Sequence, residues 1–372
     1  MLRIALRNLF QNKVRLAIAV GGVALAFMLI LALDAVVGGM EAKLTAYIDY
    51  SGADIFVAQS GVRNMHMAAS AIPLSVKSQV RAVAGAASVT PVLYLTNVVV
   101  ANETRHLAYV IGVPPKPAAG GPWSIAQGRA IPRPGEAIID RGIAEQSGVR
   151  IGDTVEILGG DFTVAGLSEG TANLTNSVAF IPRADFARLR GEDATASYML
   201  VTVALGQSPD IVARRIEALV DDVTAQTRQE FAAQERKLID DMSTDVITIM
   251  NLVGVLIGMA VMALTVYTAT LARRAEYGVL KALGARRSQL YGVVLAQAFI
   301  SVGIGFLLGI GFTLALSAIV PRTGLNLALQ MRGPALLNVA VTAVVIAGVA
   351  AILPITQIAR LDPATVFRGK TK

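Results

Sequence analysis

Four long runs without a charged residue decide what this chain can fold into: Leu16–Leu33, Val246–Ala272, Leu290–Val320 and Ala335–Ala359. Each falls in or above the range of ~17–25 apolar residues that crosses a bilayer as a helix. We therefore expect four membrane helices, over 16–38, 244–272, 290–320 and 335–359. The first run is longer than the apolar core of a cleavable leader, and no small-x-small site follows it, so it reads as an uncleaved helix. Asp34 at its far end reads as a solvated helix terminus rather than a buried acid.

Charge orients the spans. The chain has 372 residues and a net charge of +7, but the basic residues are not spread evenly. Residues 1–15, 273–289 and 360–372 carry 13 of the 33 Lys/Arg and only Glu276 and Asp362 of the acids. Cations packed into short segments beside hydrophobic runs follow the positive-inside pattern and are not a nucleic-acid patch. Residues 1–15, a cytoplasmic interfacial helix with Leu2, Leu6, Leu9 and Phe10 on one face, 273–289, 360–372 and both termini are expected on the cytoplasmic side. The short loop 321–334 lies outside.

The one large polar region, 39–243, has the size of one or two domains. It reads as a mixed α/β extracytoplasmic domain. Asp54–Ala58, Val89–Val100 and Ala108–Val113 read as strands, and Val76–Val83 and Pro209–Val220 as helices. The passage GVPPKPAAGGPW marks a subdomain boundary, and Trp123 within it reads as a packed aromatic or a partner anchor. Short β segments follow at Thr154–Leu158, Phe162–Leu167 and Ser177–Ile181. Gln229–Ser243 is helix-prone and enters the second run with no Gly or Pro between, which predicts a rigid stalk.

Within the spans, Gly254-x-x-x-Gly258 and Gly305-x-x-x-Gly309 let helix backbones approach closely in lipid. Packing inside one subunit and a seam between two copies both fit that spacing.

Between the second and third runs lies Arg273–Ala285, RRAEYGVLKALGA. Drawn as a helix, Val279, Leu283, Leu280 and Tyr277 share one arc, with Arg274 and Lys281 opposite. Glu276 falls inside the apolar arc, and Gly284 stops the helix. Such a surface suits docking into a groove on another protein; a headgroup-facing loop is the plainer reading. The segment R-x-E-Y-G-x-L-K-A-L-G-A, here Arg274, Glu276, Tyr277, Gly278, Leu280, Lys281, Ala282, Leu283, Gly284 and Ala285, resembles the signature of the MacB/FtsX/LolC-type permeases of ABC transporters. That resemblance implies a coupling helix contacting an ATPase subunit. The tail ARLDPATVFR (Ala359–Arg368) resembles the family's ending. YVIGVPP (Tyr109–Pro115), GEAIID (Gly135–Asp140), GVRIGDTVEI (Gly148–Ile157) and FTVAGL (Phe162–Leu167) occur in the order of its outer domain. It further implies an α/β part interrupted by a β-rich inserted subdomain, here about 119–194, with the stalk at 229–243.

Other chemistry is missing from the sequence. There is no cysteine, so disulfides and thiolate sites are excluded. No G-x-x-x-x-G-K-[ST] loop is present, so ATP and magnesium are expected on a partner ATPase and no cofactor in this chain. His66 and His106, the only histidines, lie in no metal-ligand spacing. The resemblance implies a non-enzymatic permease subunit of the bacterial inner membrane. Its expected partners are two ATPase subunits, a second copy or a homologous permease, membrane lipid and a periplasmic adaptor. Work on an amphipathic substrate (lipid, lipoprotein, peptide or drug) by mechanotransmission is implied, and the alternative is an FtsX-like signalling subunit that activates a periplasmic cell-wall enzyme without transport.

Overall fold

A computed structural model describes residues 13–171, 177–320 and 329–359. The expected interfacial helix over the first twelve residues, most of the loop 321–334 and the tail 360–372 lie outside the described residues. The chain divides into two compact units, one of residues 40–242 and one of the remainder.

The helices and strands run in this order: α1 (Lys13–Leu44), α2 (Ala46–Tyr50), β1 (Ile55–Gln59), β2 (Ile72–Pro73), α3 (Val76–Ala82), β3 (Ala86–Ala101), β4 (Thr104–Val113), β5 (Ile125–Gly128), β6 (Glu136–Asp140), α4 (Arg141–Ser147), β7 (Thr154–Ile157), β8 (Gly160–Ser168), β9 (Ser177–Pro182), α5 (Arg183–Arg190), β10 (Thr195–Ala196), β11 (Tyr198–Val203), α6 (Pro209–Leu219), β12 (Val223–Thr227), α7 (Arg228–Ala272), α8 (Arg274–Ala282), α9 (Arg287–Ile319), α10 (Gly333–Ala350) and α11 (Ile352–Ala359).

Among the described residues, four helical segments are long and apolar enough to cross a membrane: Leu16–Leu44, Ile247–Ala272, Arg287–Ile319 and Gly333–Ala359. The fourth is broken between α10 and α11. Pro354 has no N–H and its ring collides with the carbonyl four residues back, at Ala350, so the helix yields there. The glycines seat the helices on α1. A Cβ on Gly305 would stand 2.8 Å from Val23 Cγ1, one on Gly309 2.8 Å from Phe27 Cβ, and one on Gly254 2.7 Å from Ile30 Cγ1. Gly258 faces Ala26 and Ile346 at contact distance. All four glycines thus face residues of their own subunit. Phe27, buried at the centre, meets Phe306 edge-on at 5.6 Å. Asp34 is not a solvated terminus. It is paired with Arg332, whose Nε lies 3.5 Å from Oδ2, and Gln330 N–H donates to the Ala35 carbonyl at 2.9 Å. Neutralising the acid in this way avoids an unpaired charge at the helix end.

The α/β unit is built on one sheet in the order β12-β1-β11-β3-β4-β9-β6-β8-β5, with β7 pairing both β3 and β8. The 16-residue β3 does two jobs. Its first half pairs β11, and its second half pairs β4 and β7. The β3–β4 hairpin turns at Asn102 and Glu103, with φ of 45° and 64°, the paired positive values of a type I′ turn. Alternation along β1 sends Ile55 and Val57 into a core with α3 and α6, and Phe56 and Ala58 into a second core with Tyr198 and Phe231. Covering both faces explains why Ile55–Ala58 of β1 are all apolar, up to the exposed Gln59. Segment 119–194 contributes β5–β9 and also helices α4 and α5, around a third core that includes the far ends of β3 and β4. The parallel pair β4–β9 carries the sheet across into that segment. Gly120, in the Pro/Gly-rich passage, has φ of +89°, and a Cβ there would lie 2.6 Å from Leu200 Cδ1. Trp123 next to it is a packed aromatic, stacked on Tyr50 at 6.0 Å and edge-on to Phe180 at 6.4 Å.

Candidate functional site: the connector helix

Arg273, with φ −110° and ψ 18°, separates the end of α7 from the start of α8. Gly284 closes α8 in a Schellman motif. Its φ is +90°, its N–H donates to the Lys281 carbonyl at 3.2 Å, and the Ala285 N–H reaches back to the Leu280 carbonyl at 3.0 Å. This satisfies carbonyls that a helix end leaves open. After two residues Gln289 accepts from the Arg286 N–H at 3.1 Å, and α9 begins. The connector is therefore a defined two-turn helix with both ends fixed.

Its faces differ from the simple helical wheel. Tyr277 and Gly278 are buried against the helical unit, Tyr277 at 3% exposure, and Leu280 and Ala285 pack beside them. Burial pushes the Tyr277 phenol above its usual pKa. Val279 is 41% and Leu283 80% exposed. The arc of Tyr277, Leu280, Leu283 and Val279 is thus no single surface: its Tyr277 edge is taken by the subunit's own core, and its Val279–Leu283 edge is free. Glu276 sits on the free side with its side chain 64% exposed, 3.3 Å from Arg273 Nη1. Arg274, Ala282 and Gly284 are exposed, and Lys281 is half-buried rather than turned fully away. The outward surface is a small apolar patch, Val279 and Leu283, with one acid beside it; Arg274, Arg286 and Arg287 of the same connector are also exposed. Arg273 was not singled out in the sequence; its i,i+3 spacing to Glu276 was the available signal.

Two further buried polar groups were not evident from the sequence. Asp140, at the end of GEAIID, caps α4 by accepting from the Gly142 N–H at 2.8 Å and also accepts from the buried Thr171 hydroxyl. Glu235, on α7, is fully buried; its Oε2 lies 2.8 Å from His66 Nδ1, and its Oε1 accepts from the Met65 N–H. Among the described residues no group of three or more His, Cys, Asp or Glu is placed to hold a metal ion.

Comparison with known proteins follows the same division. Residues 16–219, more than half of the chain, match the family described as MacB-like periplasmic core domain, and residues 248–363 match FtsX-like permease C-terminal. An uncharacterized ABC transporter permease of Mycobacterium tuberculosis is 24% identical over 374 aligned positions, covering 99% of this chain and 100% of that one. One from Methanocaldococcus jannaschii is 21% identical, covering 60% of this chain and 58% of its own. The crystal structure of the periplasmic region of MacB from Actinobacillus actinomycetemcomitans aligns at 13% identity with a TM-score of 0.39, over 49% of this chain and 94% of that one.

Proposed function

This chain belongs to the family that joins a MacB-like periplasmic core domain to an FtsX-like permease C-terminal part, and from that premise we propose that it is the membrane subunit of an ABC transporter. In this reading a separate ATPase subunit docks on α8 and hydrolyses ATP. Two ATPase subunits serve two permease copies, in a bacterial inner membrane with both termini cytoplasmic. Coupling residues are Arg274, Glu276, Tyr277, Gly278, Leu280, Lys281, Ala282, Gly284 and Ala285. Tyr277, Gly278, Leu280 and Ala285 seat the helix on its own subunit. Glu276, Val279 and Leu283 meet the partner. The stalk in α7 carries motion to the α/β domain, which acts on an amphipathic substrate, a lipid, lipoprotein, peptide or drug, and hands it to a periplasmic adaptor.

The observation that carries this reading is the outward edge of α8. Leu283, 80% exposed, and Val279, 41% exposed, lie beside an exposed acid on a helix capped at its far end by a Schellman turn, and together they offer the kind of apolar anchors that a partner's groove takes. The test is co-purification of an ATPase subunit encoded beside this chain, before and after Leu283→Asp. Loss of the partner supports the reading; full retention removes it. Capture of a cell-wall hydrolase by the α/β domain, with no substrate moved, would favour the signalling role instead.

A further inference from the structure

The main sheet of the α/β unit ends on two strands, β12 and β5. An edge strand presents unpaired N–H and C=O groups on which another chain can pair, and proteins commonly blunt such edges. At β12 the edge is blunted by acids. The Ala225 N–H donates to Glu217 Oε1 at 3.0 Å, and the Thr227 N–H donates to Glu230 Oε2 at 2.9 Å. At β5 it is not. This strand pairs with β8 alone, and among the described residues no side chain caps the backbone of Ile125–Gly128. Gln127 and Gly128 are exposed.

The same strand forms one wall of a cleft. An opening of about 370 Å³ lies between Gln127 of β5 and helix α4, with Ala144, Val149 and Leu167 as its apolar part. Its charged lining residues do not cancel. Arg141, the first residue of α4, is answered by Glu145 Oε1 at 2.7 Å and by Glu169 Oε1 at 3.4 Å. Arg150, beyond the end of α4, forms no ion pair with a described residue, and its backbone is fixed by its own N–H donating to Asp153 Oδ2 at 2.8 Å. An open strand edge beside a helix, with an apolar floor and one unanswered guanidinium, has the form of a site where an extended peptide adds to a sheet. Alternate side chains of such a peptide then enter the cleft.

We propose that β5 and this cleft take a short acidic segment of a partner protein as an added strand. An Asp or Glu of the segment pairs with Arg150, and an apolar side chain two residues away rests on Ala144, Val149 and Leu167. Main-chain hydrogen bonds to β5 hold the segment, and the planar guanidinium selects a carboxylate, which it can grip through two parallel bonds. The length of the contact is bounded. β5 is four residues long with a bulge between Ile125 and Gln127, so roughly three or four partner residues pair, about 10–13 Å of extended chain. The same brevity keeps copies of the sheet from stacking edge to edge. The contact fastens a partner and is not a site for a transported molecule. It uses only residues of the α/β unit, so it stands whether or not an ATPase docks on α8.

The test uses the full chain in lipid nanodiscs, with random heptapeptides displayed on phage as the probe and empty nanodiscs as the counter-selection. Enriched peptides should carry Asp or Glu two positions from an apolar residue. Synthesised singly, they should bind at least tenfold more weakly to Arg150→Glu, an exposed position whose variant should keep the parental thermal midpoint. Lysine in place of the peptide's acid should recover binding to that variant. N-methylation of the peptide amides, one at a time, should cost at least tenfold at alternate positions, because only every second N–H faces β5. Three results would each overturn the proposal: no enrichment over empty nanodiscs, enriched peptides that bind a folded Arg150→Glu as well as the parent, or binding indifferent to N-methylation at every position, which would mean that no strand is added.

Discussion

Phe231 stacks on Phe56 with ring centroids 4.8 Å apart and planes 9° from parallel. The contact joins residues 175 positions apart in the chain and fixes the first turns of α7 into the α/β unit. Ala232 and Glu235 are buried with it. The stalk is therefore anchored by packing through Glu235 before it becomes an exposed helix.

That anchoring decides where the stalk is tested. Glycine at Ala232 would disturb the core as well as the helix. Ala233 and Lys237 are exposed, and glycine at each costs about 1 kcal/mol of helix stability at most. The double variant Ala233→Gly/Lys237→Gly should keep assembly with the ATPase and lose most of the coupling between ATP hydrolysis and work by the α/β domain. Coupling at the parental level, in a reconstituted complex, would remove the mechanical role.

Helix packing makes a second prediction. Gly309→Ala places a Cβ 2.8 Å from Phe27 Cβ and 3.1 Å from the Ala24 carbonyl, so α1 and α9 must part. Overpacking of this kind costs about 1–3 kcal/mol. Gly303→Ala and Gly292→Ala meet nothing within 4 Å and should be neutral. Resistance to denaturation in detergent is the measurement, and equal losses at all three positions would refute the packing argument.

Topology is tested with single cysteines. Ser60 and Ser124 are exposed in the α/β unit and Ser288 is exposed beside the connector. Cysteine at the first two should react with an impermeant maleimide in intact cells, and cysteine at Ser288 only after lysis. Ser168, polar in sequence and inside a strand–turn region, is fully buried and would report nothing.

His106 gives a pH dependence. Burial lowers its pKa, and its Nε2 lies 2.6 Å from the Ser147 hydroxyl. A histidine held neutral in the fold binds fewer protons than in the unfolded chain. Its contribution to stability is full above the unfolded value of about 6.5 and falls as pH drops toward the lower folded value. The thermal midpoint of the α/β unit should decline between pH 7.5 and 5 less steeply in His106→Gln than in the parent. Parallel pH profiles would contradict this.

The sequence carried the spans, because uncharged length is a local property, and the stop at Gly284, because a positive φ selects glycine. It carried β1 as a strand but not its partners, since both of its faces are covered by residues distant in the chain. A helical wheel at α8 located the apolar arc correctly but could not divide it: which edge is covered depends on the other helices of the unit, whose approach no local pattern encodes. Glu235 carries no local sign of burial in the helix-prone stretch 229–243. Its burial depends on a loop about 170 residues earlier, and only the packing of Phe231 next to it turns that face inward.

The connector carries the sharpest prediction. Glu276 lies on the free edge of α8, its side chain 64% exposed at the solvent end of its pair with the largely covered Arg273. A pair whose acid stands in solvent contributes about 0–1 kcal/mol, so removing Glu276 should hardly affect the fold. On docking, the acid is enclosed together with Val279 and Leu283, and a cationic or hydrogen-bonding group of the ATPase must then answer it. Breaking one side of an enclosed pair costs roughly 3–5 kcal/mol. Glu276→Ala and Glu276→Lys should therefore leave expression and thermal stability near the parental level while reducing ATPase co-purification at least tenfold, or preserve co-purification while uncoupling ATP hydrolysis. Lys281 is half-buried toward its own subunit, so Lys281→Ala should have a smaller effect on both assays. Co-purification and the ATPase rate of the reconstituted complex, measured for the three variants side by side, decide the matter: a parental Glu276→Lys together with an inactive Lys281→Ala would place the docking face on the other side of the helix.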